Sequence, residues 1–455
     1  MKKKVLVALL CLCAMLPAVL FASGKSEVSA SQTQPQGSIS QQQVDKNVSM
    51  ELTFLTHKQG LDEEFEKYQV EFNKIYPNVK VVYESIGDYK KNIEIRWTSN
   101  NWGDMCMIPH MFISETQLPE LFAPLGKVAD FDKKYEFASA FSIEGDVYGI
   151  TSTGTAYGVL YNKKVLQQAG VSEIPKSPEA FFEALRKVKA NTNAIPLYCN
   201  YGAGSRLADW EWNARGSLTG DGNYKNKLVY MENPFSAGKP YYTVMRMLYD
   251  VVAQDLVEDD PATSNWDTCK NLIAQGKVAA TVIGSWATVD TQKAAENPSD
   301  IVFAAFPWNV DGKQYATIAA DYAYAINKNI SSDRYQVARD YILFLTEKSG
   351  YSFSYGGIPI VKGEAYPQTL KALQDAGVTL VLDNPPHPED IGLFDELNAE
   401  SELYLGKYPE KARIVEAAMG QTKESFDSIM ENWNKRWTAA QVSIIGKDYA
   451  SKSMY

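Results

Sequence analysis

The sequence predicts an α/β protein built as two lobes, and three observations lead there. Runs of strand composition alternate with runs of helical periodicity along almost the whole chain. The ~400 residues that remain after an export leader exceed what one hydrophobic core ordinarily serves. The stretch Val147–Leu166 places strand-like runs, Val147–Ile150 and Tyr157–Tyr161, on either side of T-S-T-G-T, which is polar, β-branched and broken by Gly154. A strand that ends in small hydroxyl residues and then resumes reads as a crossing between lobes. Hydroxyl groups such as that of Thr155 would face a cleft there. A surface hairpin is the plainer alternative.

The chain opens with Lys2, Lys3 and Lys4, an apolar run from Val5 to Phe21, and then Ala22-Ser23-Gly24. This is the pattern of a secretory signal peptide over residues 1–24. The run is short for a membrane span and contains Pro17. Residues 25–47 are rich in Ser and Gln and predict a disordered tether. Cys11 and Cys13 each follow a leucine inside the apolar run, and Gly24 carries no thiol. No lipid anchor is therefore expected, and the mature protein should be free in the periplasm or outside the cell. Cys106, Cys199 and Cys269 are odd in number and far apart, against a disulfide framework or a zinc site. The net charge is −10, and loss of the leader's three lysines makes it −13. So acidic a surface argues against nucleic acid as a partner.

Met50–Leu55 alternates as a strand and runs into Thr56-His57-Lys58-Gln59-Gly60. Leu61, Phe65, Tyr68, Phe72 and Ile75 follow at helical spacing, Pro77-Asn78 stops the helix, and Val79–Tyr83 is the next strand. In such β-α-β openings ligands sit beyond the carboxyl ends of the strands, which makes His57 a candidate contact beside Lys58. A solvated loop histidine is the alternative. Gly103-Asp104 leads into the strand Met105–Ile108, and Pro109-His110-Met111 would form a second cleft loop with His110 as candidate. Asn162 can cap a helix starting at Lys163–Val165. Ser177 and Pro178 open another, with Phe181, Leu185 and Val188 as its buried stripe.

Ala194–Tyr201 predicts a buried strand, with Asn200 near the end that opens into G-A-G-S-R. Asp209-Trp210-Glu211-Trp212-Asn213 follows. Tryptophans interleaved with carboxylates suit a sugar, because an indole stacks on the C–H face of a pyranose while polar groups bind its hydroxyls. Residues two apart on a helix cannot face the same way, so one tryptophan is core. Trp210, with Glu211, is taken as ligand-facing. The aromatics of the C-terminal helix, including Trp433 and Trp437, are predicted core.

Several phrases in this order resemble the extracellular solute-binding proteins of bacterial ABC importers, in particular the carbohydrate-binding family typified by maltose-binding protein. They are V-Y-G-I with L-Y-N-K-K-V-L-Q-Q-A-G, and I-A-Q-G-K-V-A-A-T leading to Gly284-Ser285-Trp286. The others are I-A-A-D-Y-A-Y-A-I-N and Gly356-Gly357-Ile358-Pro359. The resemblance covers essentially the whole mature chain. It implies an α/β, two-lobed periplasmic-binding-protein-like fold of type II, with discontinuous lobes joined by hinge crossings. The N-terminal lobe would comprise 48–155 plus 321–357 and the C-terminal lobe 158–314 plus 362–455. The crossings would fall near Thr151–Tyr157, Tyr315–Asp321 and Tyr355–Val361. It further implies that Trp286 stacks on bound sugar, that Asp321 and Tyr322 face the cleft, and that an ABC permease receives the carbohydrate. The Thr-Trp often found near residue 177 in the family is missing. A monomer without cofactor or metal is expected.

No H-E-x-x-H, G-x-S-x-G, phosphate-loop or EF-hand pattern occurs in the mature chain. Asp209 and Glu211 form a carboxylate pair on paper, as a glycosidase would need. An exported carbohydrate-active enzyme and a receptor for a non-sugar solute therefore stand as alternatives to a sugar receptor.

Overall fold

The computed structural model describes residues 44–58, 61–99, 102–109 and 112–455. The leader, most of the tether and His110 lie outside the described residues.

The chain starts with β1 (Met50–Thr56), α1 (Asp62–Phe72), β2 (Val79–Ser85), α2 (Tyr89–Thr98) and β3 (Met105–Ile108). β1 is parallel to both β2 and β3, so this is the β-α-β opening that the alternation predicts. Asp104 does structural work at the head of β3. Its carboxylate accepts from the Thr53 amide at 2.8 Å and from the Arg334 guanidinium at 2.6 Å. The Val147–Ile150 run is not one strand. Asp146–Val147 belongs to a small three-stranded sheet, whereas β4 (Ile150–Thr151) belongs to the sheet of β1. Gly149 lies at the break, and a Cβ there would come within 2.9 Å of Ala323 Cβ.

β5 (Gly154–Asn162) follows and is buried along its whole length. Asn162 then caps α3 (Lys163–Gln168) by accepting the Val165 amide at 3.2 Å, and Ser177 caps α4 (Pro178–Asn191) through the Ala180 amide at 3.3 Å. The run Ala194–Tyr201 gives only the short β6 (Ile195–Leu197). Beyond it the Glu258 carboxylate takes the amides of Cys199 and Asn200 at 2.7 and 3.2 Å in place of a neighbouring strand. Asn200 also turns to φ +61°. The remaining strands are β7 (Val278–Gly284), β8 (Ile301–Ala305), β9 (Tyr315–Ala320), β10 (Ala323–Ile326) and β11 (Thr379–Leu382).

These strands form two main sheets. One has the order β2-β1-β3-β10-β4. The other runs β11-β9-β5-β7-β6, with β8 also paired to β5. The chain leaves the first sheet after Thr151 and enters the second at Gly154; it returns between Ala320 and Ala323. A third segment joins these two. The Ser152 amide donates to Tyr322 O at 2.8 Å, the Asp321 amide to Thr153 O at 2.9 Å, and Gly154 and Ile358 exchange amide bonds at 3.0 and 2.8 Å. The segments approach too closely for side chains. A Cβ at Gly357 would lie 1.9 Å from Thr153 Oγ1, and one at Gly154 would strike the Phe137 ring at 2.4 Å.

Buried side chains form two clusters, the first of which continues from the first sheet into Leu160, Ile283 and Phe303 of the second. Phe54, Phe72, Met105, Ile108 and Tyr341 belong to one; Phe181, Leu185, Val244, Leu248, Trp433 and Trp437 belong to the other. Cys106, Cys199 and Cys269 are buried and free. Among the described residues no helix is long and apolar enough to cross a membrane.

Candidate ligand-binding cleft

The three joined segments separate the sheets, and polar and aromatic side chains from both lobes gather beside them. From the first sheet, β1 delivers His57 and Lys58 just past its carboxyl end. The His57 ring stacks on Tyr322 at 3.7 Å between centroids and 13° between planes, with Tyr89 edge-on at 5.8 Å. Burial holds the His57 imidazole well below its ordinary pKa, and the charges of Lys58 and Lys90 push the same way. The ring is thus neutral at pH 7, and its Nδ1 is buried with no hydrogen-bond partner among the described residues. Asp321 stands on the return crossing beside Tyr322. Burial raises its pKa, while Lys58, Lys90 and Arg206 hold it down.

From the second sheet, β7 ends at Gly284 and presents Trp286 just before the helix α5 (Ala287–Ala294). Gly284 is required by this arrangement, because a Cβ there would lie 2.5 Å from the indole. Trp286 is partly exposed, with Trp266 edge-on at 5.1 Å and the Arg206 guanidinium 4.8 Å above its ring. Arg206 also approaches Asp209 at 3.4 Å. Burial pushes the Asp209 carboxyl up to about 6, against the opposing charges of Arg206 and, from the other lobe, Lys90. Trp212 stacks on Tyr157 of β5 at 4.6 Å and 7°. The result is a site of flat rings, with guanidinium groups over the faces of Trp286 and Trp212 and carboxylates close by. That combination can cover a sugar face and hydrogen-bond its hydroxyls.

Of the residues singled out from sequence, the fold brings His57, Asp321, Tyr322 and Trp286 to this cleft. It removes four others. Trp210 is 1% exposed, in the core edge-on to Phe306, because the turn of helix that points Trp212 to Tyr157 points Trp210 inward. Glu211 is sealed beneath it. Its Oε1 accepts from Arg215 Nη2 at 2.8 Å and from the Tyr241 hydroxyl at 2.6 Å, so it forms no carboxylate pair with Asp209. Asn200 is buried and donates to Thr281 Oγ1 at 3.0 Å. Thr155 is buried with its hydroxyl 3.3 Å from Ser285 Oγ. Residues not chosen from sequence also line the cleft: Lys90, Tyr157, Arg206, Asp209 and Trp212. The loop G-A-G-S-R pointed toward Arg206, whereas nothing local marks Lys90.

Comparison with known proteins identifies the family and the fold. The family model described as bacterial extracellular solute-binding protein matches residues 56–352. A manno-oligosaccharide-specific solute-binding protein from Bifidobacterium animalis subsp. lactis, BlMnBP2 in complex with mannotriose, superposes with a TM-score of 0.81. It is 33% identical over 88% of this chain and 96% of its own. BlMnBP1, a binding protein of an ABC transporter from the same organism in complex with mannobiose, gives 0.82 at the same identity and the same coverage of both chains. A sugar transporter from Bacillus licheniformis in complex with stachyose shares the fold, with a TM-score of 0.62 at 17% identity over 86% of this chain and 100% of its own. No curated protein matches the chain. With a family model spanning most of the sequence and two relatives at one-third identity over nearly their full length, the chain belongs to the bacterial extracellular solute-binding proteins.

Proposed function

We propose that this protein is the receptor of a bacterial ABC importer, that it binds a short oligosaccharide between its lobes, and that it delivers the sugar to a membrane permease. Mannose-based oligosaccharides are the first ligands to try, because they occupy the two relatives at 33% identity. The observation that supports the reading best is Trp286. Its indole is partly exposed at a strand end, with a guanidinium and a carboxylate beside it and the His57–Tyr322 stack on the opposite sheet. Trp286, Trp212, His57, Lys58, Asp209, Asp321 and Tyr322 are the proposed contacts. The lobes divide as 48–155 plus 321–357 and 158–314 plus 362–455. The leader 1–24 exports the chain, which acts as a free monomer without turnover.

A thermal-shift screen with mannobiose, mannotriose, stachyose and their monosaccharides tests this, since a tight ligand raises the melting temperature by mass action. At about 100 Kd of free ligand the gain is about 2.7 kcal/mol. A manno-oligosaccharide should give the largest rise and be recovered intact. Flat melts across all sugars would contradict the receptor reading, and recovered cleavage products would favour an enzyme with Asp209 as its acid.

The reading also fixes a pH dependence. An ionised Asp209 accepts hydrogen bonds from sugar hydroxyls, and its proton is taken up near pH 6. Affinity should therefore be full above pH 7 and fall about tenfold between pH 7 and 5, the worth of one charge-assisted hydrogen bond. For the ligand-free fold the sign is opposite. A carboxyl whose folded pKa is raised favours the folded state at low pH and loses that contribution as pH rises from about 4 through 6. Calorimetric titration across this range, with Asp209→Asn flattening the profile, checks it. An unchanged profile in the variant would assign the titration elsewhere.

A further inference from the structure

Lys58 is held in the cleft in an unusual way for a partly buried cation. Its Nζ lies 4.5 Å from the centroid of the Tyr355 ring and 5.9 Å from that of Tyr351. Asp321 and Asp290 act on it only through space, and no ion pair to Lys58 is formed among the described residues. The two tyrosines pack together at 4.5 Å, and Tyr351, itself buried, packs on Tyr324 at 6.2 Å. Tyr355 therefore has a rigid backing. The backbone that follows is equally fixed. Gly356 has φ +67°, and a Cβ there would meet Val289 at 2.5 Å; Thr369 Oγ1 donates to Gly356 O at 3.2 Å. Gly357 presses on Thr153 of the first crossing.

A carboxylate partner would occupy the ammonium's N–H groups, and a ligand would have to displace it. A ring face attracts the charge without accepting strong hydrogen bonds, so the donors stay free. We infer that Tyr355 is a positioning residue, which holds the Lys58 ammonium over its ring at the joint between the lobes so that its N–H groups are presented to a ligand hydroxyl. The inference rests on the receptor reading for what Lys58 then binds, but the cation–ring pair itself does not depend on it. Because Tyr355 sits on the third crossing, Lys58 is tied to the part of the molecule about which the lobes would turn.

The test uses Tyr355→Phe, Tyr355→Leu and Lys58→Met in the mature protein, with two readouts. The first is the nuclear magnetic resonance titration of the Lys58 side chain without ligand. Burial lowers the Lys58 pKa from its ordinary value, and the ring favours the charged form. The groups facing the pair are Asp321 on the return crossing, Asp290 on α5, neutral His57, Tyr351 and, toward Tyr355, Tyr324 and the α1 residues Tyr68 and Glu64. All are unchanged in the variants. Burial keeps the Tyr355 phenol protonated throughout. Tyr355→Leu should therefore move the Lys58 midpoint down by about one pH unit, and Tyr355→Phe should leave it in place. The second readout is calorimetric titration with mannotriose against pH. Tyr355→Leu should bind about five- to tenfold more weakly at pH 8 with an alkaline limb displaced to lower pH, Tyr355→Phe like the parent, and Lys58→Met weakly with no such limb. An unmoved Lys58 midpoint in Tyr355→Leu overturns the inference whatever the sugar result. A moved midpoint with no mannotriose binding by the parent supports the cation–ring pair and overturns the receptor reading for that sugar.

Discussion

Trp286→Ala should weaken oligosaccharide binding about 30- to 700-fold, which is the range of about 2–4 kcal/mol for truncating a central aromatic anchor. The indole would cover a pyranose face that water otherwise covers, and alanine leaves that face wet. The ligand-free fold should hardly notice. Trp286 is partly exposed: it packs on the margin of a core cluster and meets the edge of Trp266 and the guanidinium of Arg206 without being enclosed. Calorimetric titration and ligand-free melting measured side by side separate the two effects. An early melt with normal affinity would mean that the indole is structural and the sugar lies elsewhere.

Trp433→Ala should do the reverse, at a cost of about 3–5 kcal/mol of stability. Trp433 is 0% exposed, lies against the edge of Phe235 at 5.4 Å and 86°, and donates its indole N–H to Glu410 at 2.8 Å. Alanine leaves a cavity between the C-terminal helix and the second lobe, and it deprives a partly buried carboxylate of a donor. Denaturant unfolding measures the loss. At low temperature, where the variant is still folded, oligosaccharide affinity should match the parent, since nothing in the cleft touches Trp433. A variant as stable as the parent would contradict the core position.

Where the pattern of residues is local, the sequence was readable. Asn162 and Ser177 cap their helices because an Asn or Ser placed just before a helical run has one common use. Trp286 was legible because Gly-x-Trp after an apolar run places a ring at a strand end, and Gly284 leaves room for it. The choice between Trp210 and Trp212 was not legible. Spacing says that one faces in, but the phase depends on Tyr157, which comes from a strand about fifty residues earlier. Glu211 reads as a cleft acid because it stands between two tryptophans, but Arg215, one helical turn on and paired also with Asp383, holds it in a buried ion cluster. The long strand expected over Ala194–Tyr201 stopped early because the Glu258 carboxylate, far along the chain, takes its amides. Lys90 is invisible locally for the same reason, since its role at the cleft depends on Asp209 and Asp321 of distant segments. Long-range partners decide these cases, and no local periodicity encodes them.

The measurement that bears most directly on the central claim is a crystal structure of the protein with the oligosaccharide that gives the largest thermal shift. The expected result is one sugar ring lying flat on the Trp286 indole between the two sheets, with hydroxyls bonded to Asp209 and to Lys58 or Asp321. A sugar bound outside the cleft, or within it but away from Trp286, would contradict the assignment.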